Sequence, residues 1–131
     1  MGVVTAVTWT IAALAGVYLL WLWLSGGGLR RAKVTRFPVA LIFSHPALAV
    51  SALGFWVAGL VTGSRALVWA AFAVLAVAAL LGFAMFTRWL GGGRHERGGR
   101  GIPVVAVVLH GVAGVTTFAL VFLSASAARV F

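Results

Sequence analysis

The sequence predicts an all-α integral membrane protein folded as a four-helix up-down bundle. Three observations carry this reading. Of 131 residues, 63% are hydrophobic and 8% are charged, where an ordinary soluble domain carries about a quarter charged residues. The charges, ten Lys+Arg against the single acid Glu96, sit in short connections between long apolar runs. Four of those runs reach the roughly 20 residues that a transmembrane helix needs, and none contains Asp, Glu, Lys or Arg. The same hydrophobicity excludes intrinsic disorder. Six Trp and nine Phe suit a chain with interfacial aromatic residues. The absence of cysteine excludes disulfides, thiolate metal sites, iron–sulfur clusters and thiol catalysis.

The first span is expected over residues 3–24. It does not read as a signal peptide, because it lacks a basic leader, its apolar run is too long, and Trp21 and Trp23 end it where a small-residue cleavage site would stand. The second span is expected over 37–61 and the fourth over 102–124. Pro38 and Pro103 open these two helices, where a missing N–H costs nothing. The third span, 66–86, follows a tight turn at Arg65. It carries Ala78-xxx-Gly82, a small-xxx-small spacing that lets helices approach closely. Together the spans leave no room for a separate soluble domain, so 1–131 reads as one membrane domain.

Charge sets the expected orientation. The first connection holds Arg30, Arg31, Lys33 and Arg36, and the third holds Arg88, Arg94, Arg97 and Arg100. The opposite side has Arg65 and Arg129. By the positive-inside rule both basic connections face the cytoplasm and both termini lie outside, in a cell (inner) membrane. A net charge of +9 therefore reads as a topology signal, and no nucleic acid is expected as a partner. Ser25–Gly28 and Gly91–Gly93 are glycine-rich and predict flexible connections, but neither has the context of a phosphate-binding loop.

The two halves resemble each other. Trp23-Leu24-Ser25-Gly26-Gly27-Gly28 parallels Trp89-Leu90-Gly91-Gly92-Gly93, with Trp89 following Trp23 by 66 positions. Pro103 follows Pro38 by 65, and His110 follows His45 by the same 65. Two tandem helical hairpins about a pseudo-twofold axis along the membrane normal would produce this pattern.

Ionisable residues inside spans are rare and functional by default. Here they are His45 and His110. Each lies seven residues beyond its proline, about 10 Å into the membrane. Spans two and four run in the same direction, so the two imidazoles share one depth. In an up-down bundle these spans are diagonal, roughly 11–14 Å between axes. That is too far for a direct His–His hydrogen bond, and suits two imidazoles reaching inward to one iron with a flat macrocycle between them. Small residues on the same faces make room: Ala49 and Ala52 after His45, and Gly114 and Thr117 after His110. Zinc and copper sites want three or four His, Cys or carboxylate ligands, whereas haem supplies four nitrogens itself. The expectation is one haem b with His45 and His110 as axial ligands. Arg36, Arg88 and Arg100 are candidate contacts for its propionates, although the positive-inside rule accounts for them equally. The alternatives kept open are interhelical polar glue and a pH- or metal-responsive role.

Four spans, intramembrane histidines on alternate helices, the H-P-A-L-A-V-S-A-L-G-F-W stretch from His45 and the L-H-G-V-A-G-V-T-T-F-A-L stretch around His110 resemble the cytochrome b561 type of membrane b-cytochrome. The resemblance implies haem b held between helices, electron transfer, and a quinone or redox protein as partner. That family holds two His pairs and two haems, whereas this chain has one pair. One centre cannot by itself complete a transmembrane electron path, so the resemblance also implies a homodimer, a larger membrane complex or a membrane quinone. The runner-up is a non-enzymatic accessory or scaffold subunit.

The remaining residues offer little chemistry. His95 reads as solvated beside Glu96. Glu96 has no second carboxylate for acid–base work, and no intramembrane acid serves a coupled transporter. Ser44, Ser51, Thr116 and Thr117 have no base placed as in a nucleophilic triad, and such residues usually bond back to their own helix.

Overall fold

The computed structural model describes residues 2–31, 38–91 and 102–127. Its elements are α1 (Gly2–Ser25), the single turn α2 (Gly28–Arg31), α3 (Val39–Thr62), α4 (Arg65–Leu90) and α5 (Val104–Ser126). Lys33, Arg36, Phe37, Gly92, Gly93, Arg94, His95, Glu96, Arg97, Arg100 and Arg129 lie outside the described residues.

The four long helices have 24, 24, 26 and 23 residues. At 1.5 Å per residue the shortest is about 35 Å long, enough for the roughly 30 Å hydrocarbon core of a bilayer. Val3, Leu14, Val50, Val61, Leu80 and Val105 stand exposed on them. Such a surface is untenable in water and ordinary in lipid. The chain is a multi-pass membrane protein.

Helix ends follow local chemistry. Pro38 and Pro103 are extended N-caps, with ψ of 144° and 135°, and each helix starts one residue later. Helix α4 runs four residues past the expected end of its span, through Arg88. A cation in the last turn complements the helix dipole, so the charge that ends the apolar run does not end the helix. Gly63 closes α3 at φ 69°, a left-handed conformation that favours glycine. Ser64 then caps α4, its Oγ accepting from the Leu67 N–H. Pro46 lies inside α3 and removes the N–H that would reach the Ile42 carbonyl, yet the helix continues.

Contacts between the helices are antiparallel throughout. Thr117 and His110 of α5 meet Thr8 and Ala12 of α1. Phe118 and Phe122 of α5 meet Phe72 and Trp69 of α4. Trp56 and Phe43 of α3 meet Trp9 and Trp23 of α1. The bundle thus has a turn end, at Gly63, and a basic end, where α1 and α4 finish and α3 and α5 begin. Helix α3 packs on α4, α4 on α5, and α5 on α1, which leaves α3 and α5 diagonal. The backbones of α1 and α3 approach each other less closely than those of α4 and α5. Aromatic pairs bridge α1 and α3, Trp9–Trp56 at 5.4 Å and Trp23–Phe43 at 6.3 Å. The repeat partners of Trp9 and Trp56 on α4 and α5 are the smaller Leu75 and Val121, which permit closer packing.

The tandem repeat is visible in what is buried. On α1 the buried residues are Thr5, Trp9, Ala12 and Trp23; 66 positions later Ala71, Leu75, Ala78 and Trp89 are buried on α4. On α3 they are Ala52, Trp56 and Gly59; 65 positions later Thr117, Val121 and Ser124 are buried on α5. Every buried position of the first two long helices has a buried mate in the second two. Equivalent helices therefore turn the same face inward, as a pseudo-twofold pair of hairpins requires.

Candidate functional site

The repeat places His45 and His110 side by side. Their ring centroids are 5.9 Å apart and their planes lie 84° from parallel. Both side chains are half-buried. The rings reach inward from diagonal helices to one level of the bundle, and they do not bond to each other.

Each ring is held by the other half of the chain. His45 on α3 donates its Nδ1–H to the Ala78 carbonyl of α4 at 2.7 Å. His110 on α5 donates its Nδ1–H to the Ala12 carbonyl of α1 at 2.8 Å. A carbonyl only accepts, so in both rings Nδ1 carries a proton, and in the neutral form of such a ring the lone pair is on Nε2. Neither Nε2 has a partner among the described residues.

A glycine one turn beyond each carbonyl makes the approach possible. A Cβ at Gly82 would lie 3.1 Å from His45 Cε1, and one at Gly16 would lie 2.9 Å from His110 Cε1. Each seat is thus a small-xxx-small pair, Ala12-xxx-Gly16 or Ala78-xxx-Gly82, spaced 66 positions apart. The sequence reading gave Ala78-xxx-Gly82 to helix packing alone. The structure assigns it to the His45 ring and pairs it with Ala12-xxx-Gly16, which that reading missed. The repeat offset was the signal that would have found it.

The expected pocket residues divide. Ala49 is half-buried against the main core, and Ala52 is fully buried within it. Thr117 is committed to packing: its hydroxyl meets the Ala113 carbonyl at 2.8 Å and Thr8 Oγ1 at 3.0 Å. A Cβ at Gly114 would meet nothing within 4 Å, so this position faces open space. Arg88 is exposed and lines an outer groove between α3 and α4 together with Pro38 and Ser44. Arg36 and Arg100 fall outside the described residues. Ser51 and Thr116 bond back to Ala47 and Val112 of their own helices, as expected.

Buried donors form the second unusual feature. The indole N–H groups of Trp23, Trp56 and Trp89 have no acceptor among the described residues. A buried donor left without a partner costs about 1–3 kcal/mol. Trp23 and Trp89 share a small cluster at the basic end, with Leu20, Ile42 and Val107 around them. Gly27, at φ 85°, turns the chain so that Gly28 lies against the Trp23 indole, with no space there for a side chain.

Among the described residues no three His, Cys, Asp or Glu come together. Fold and site together define a multi-pass membrane bundle with a paired-imidazole centre. The chain matches no protein-family model, no curated protein and no solved structure.

Proposed function

We propose that this chain is a small membrane b-type cytochrome that holds one haem b between His45 and His110 and carries electrons. The observation that supports it is the matched pair of Nδ1–H···O=C bonds, which fix both tautomers and leave both Nε2 atoms for a metal. The ring centroids are 5.9 Å apart, close enough for both imidazoles to approach one group held between them.

Haem supplies one-electron iron chemistry and four equatorial nitrogens of its own. The protein's residues supply the rest. The Ala12 and Ala78 carbonyls orient the imidazoles. Gly16 and Gly82 keep side chains out of the imidazole layer. The apolar helices exclude water and lower the local dielectric. The basic end faces the cytoplasm, and one centre near that face implies a quinone, a redox protein, a second copy or a larger membrane complex as the other station. A second reading, an accessory or scaffold subunit, draws on the same two bonds, since they also staple α3 to α4 and α5 to α1.

A reduced-minus-oxidised spectrum of detergent-purified protein separates the two. A haem protein shows a strong Soret band and sharp α and β bands that His45→Ala and His110→Ala each abolish. Colourless protein from haem-replete cells would leave the scaffold reading standing alone.

A further inference from the structure

We propose that Trp23 and Trp89 bind the two carboxylates of the tetrapyrrole, each indole donating its Nε1–H. This rests on the haem reading and deepens it. Both side chains are more than nine-tenths buried, at 2% and 6% exposure, and both N–H groups lack an acceptor. An indole nitrogen only donates, so the missing partner is an acceptor. The surrounding Leu20, Ile42 and Val107 side chains offer none.

Position selects these two indoles. Trp23 lies seven residues beyond Gly16 on α1, and Trp89 lies seven beyond Gly82 on α4. Each Cα is therefore about 10 Å along its helix from the imidazole layer, on the basic-end side. Ile42 and Val107, three residues before His45 and His110, pack against the two indoles, and Trp23 meets Phe43 at 6.3 Å. The imidazoles come from the diagonal pair α3 and α5, and the indoles come from the other two long helices, α1 and α4. A tetrapyrrole of the b type carries its two carboxylates on one edge, and the repeat provides two equivalent donors at one end. Carboxylate oxygens are strong acceptors, and a bond to an ionised acceptor is about twice as strong as a neutral one. Trp56, the third orphan donor, has Val121 as its repeat mate and packs in the core at the other side of the imidazole layer, so it forms no such pair.

The test compares haem b with haem dimethyl ester, which keeps the macrocycle and removes the carboxylate charge. Apo-protein in detergent is titrated with each and followed at the Soret band, with helicity and melting recorded for every variant. The unaltered protein should bind haem b roughly tenfold or more tighter than the ester, the scale of one lost charged hydrogen bond. Trp23→Phe and Trp89→Phe should each reduce that preference, and the double variant should abolish it while still binding the ester normally. Trp56→Phe should bind both ligands as the unaltered protein does. In the unaltered protein, haem b and not the ester should slow hydrogen exchange at the Trp23 and Trp89 indoles. Full haem b preference in the double variant, or equal exchange with both ligands, overturns the assignment and leaves the haem reading intact. Failure of the unaltered protein to bind either ligand overturns both.

Discussion

The two histidine seats are built alike and secured differently. In each, an imidazole from one half bonds to an alanine carbonyl of the other half, beside a glycine one turn on. The surroundings then diverge. The α3–α4 seat is closed by a turn at Gly63 and Ser64, and Ala52 and Val74 occupy the positions equivalent to Thr117 and Thr8. The α1–α5 seat joins residues about a hundred positions apart, and there the Thr117 and Thr8 hydroxyls meet across the interface at 3.0 Å. Closing a long loop costs more chain entropy than closing a turn, although the cost grows slowly with length. The extra hydroxyl bond sits at the interface that lacks a covalent turn. The contrast shows that the two halves share the inward-facing pattern and the histidine seat, while the packing around each seat is free to differ.

The largest effect is expected at the seat glycines. Gly16→Ala places a methyl 2.9 Å from the His110 ring, and Gly82→Ala places one 3.1 Å from the His45 ring. Both should displace their imidazole and lower stability by about 1–3 kcal/mol, with Gly16→Ala the worse. Unfolding in mixed micelles measures this, and equal costs would break the expected ranking of the two glycines. Next comes Thr117→Val, expected to cost about 0.6–1.7 kcal/mol. A double-mutant cycle with Thr8→Val isolates the hydroxyl bond, and zero coupling would remove the polar difference between the two interfaces. The smallest effect is at Gly111, directly after His110, where an added methyl meets nothing within 4 Å. Gly111→Ala should stabilise α5 by less than about 1 kcal/mol through helix propensity. The same change thus has opposite signs at Gly16 and Gly111, which sharpens the seat as a local feature.

Much of this was legible beforehand because lipid is a uniform solvent. Apolar length gave the four spans, with ends displaced by a few residues where dipole chemistry extended α4 through Arg88. Pro38 and Pro103 marked the starts of α3 and α5. The 65-residue offset of the histidines announced the repeat. The seats were not legible. Ala12-xxx-Gly16 and Ala78-xxx-Gly82 look like any small-xxx-small packing motif, because alanine and glycine say that something approaches without saying what. The committed hydroxyl of Thr117 was equally hidden, since span Thr residues usually bond only to their own helix.

By itself, the sequence determined the solvent, the number of crossings and the shared depth of His45 and His110, because these depend on counts and spacings along one chain. Tertiary structure decided which carbonyl each imidazole meets, which ring nitrogen stays free, and that Trp23 and Trp89 come together with unpartnered donors. Those outcomes depend on helix rotation and on which faces meet across the bundle, and a uniformly apolar helix carries almost no such information in its own pattern.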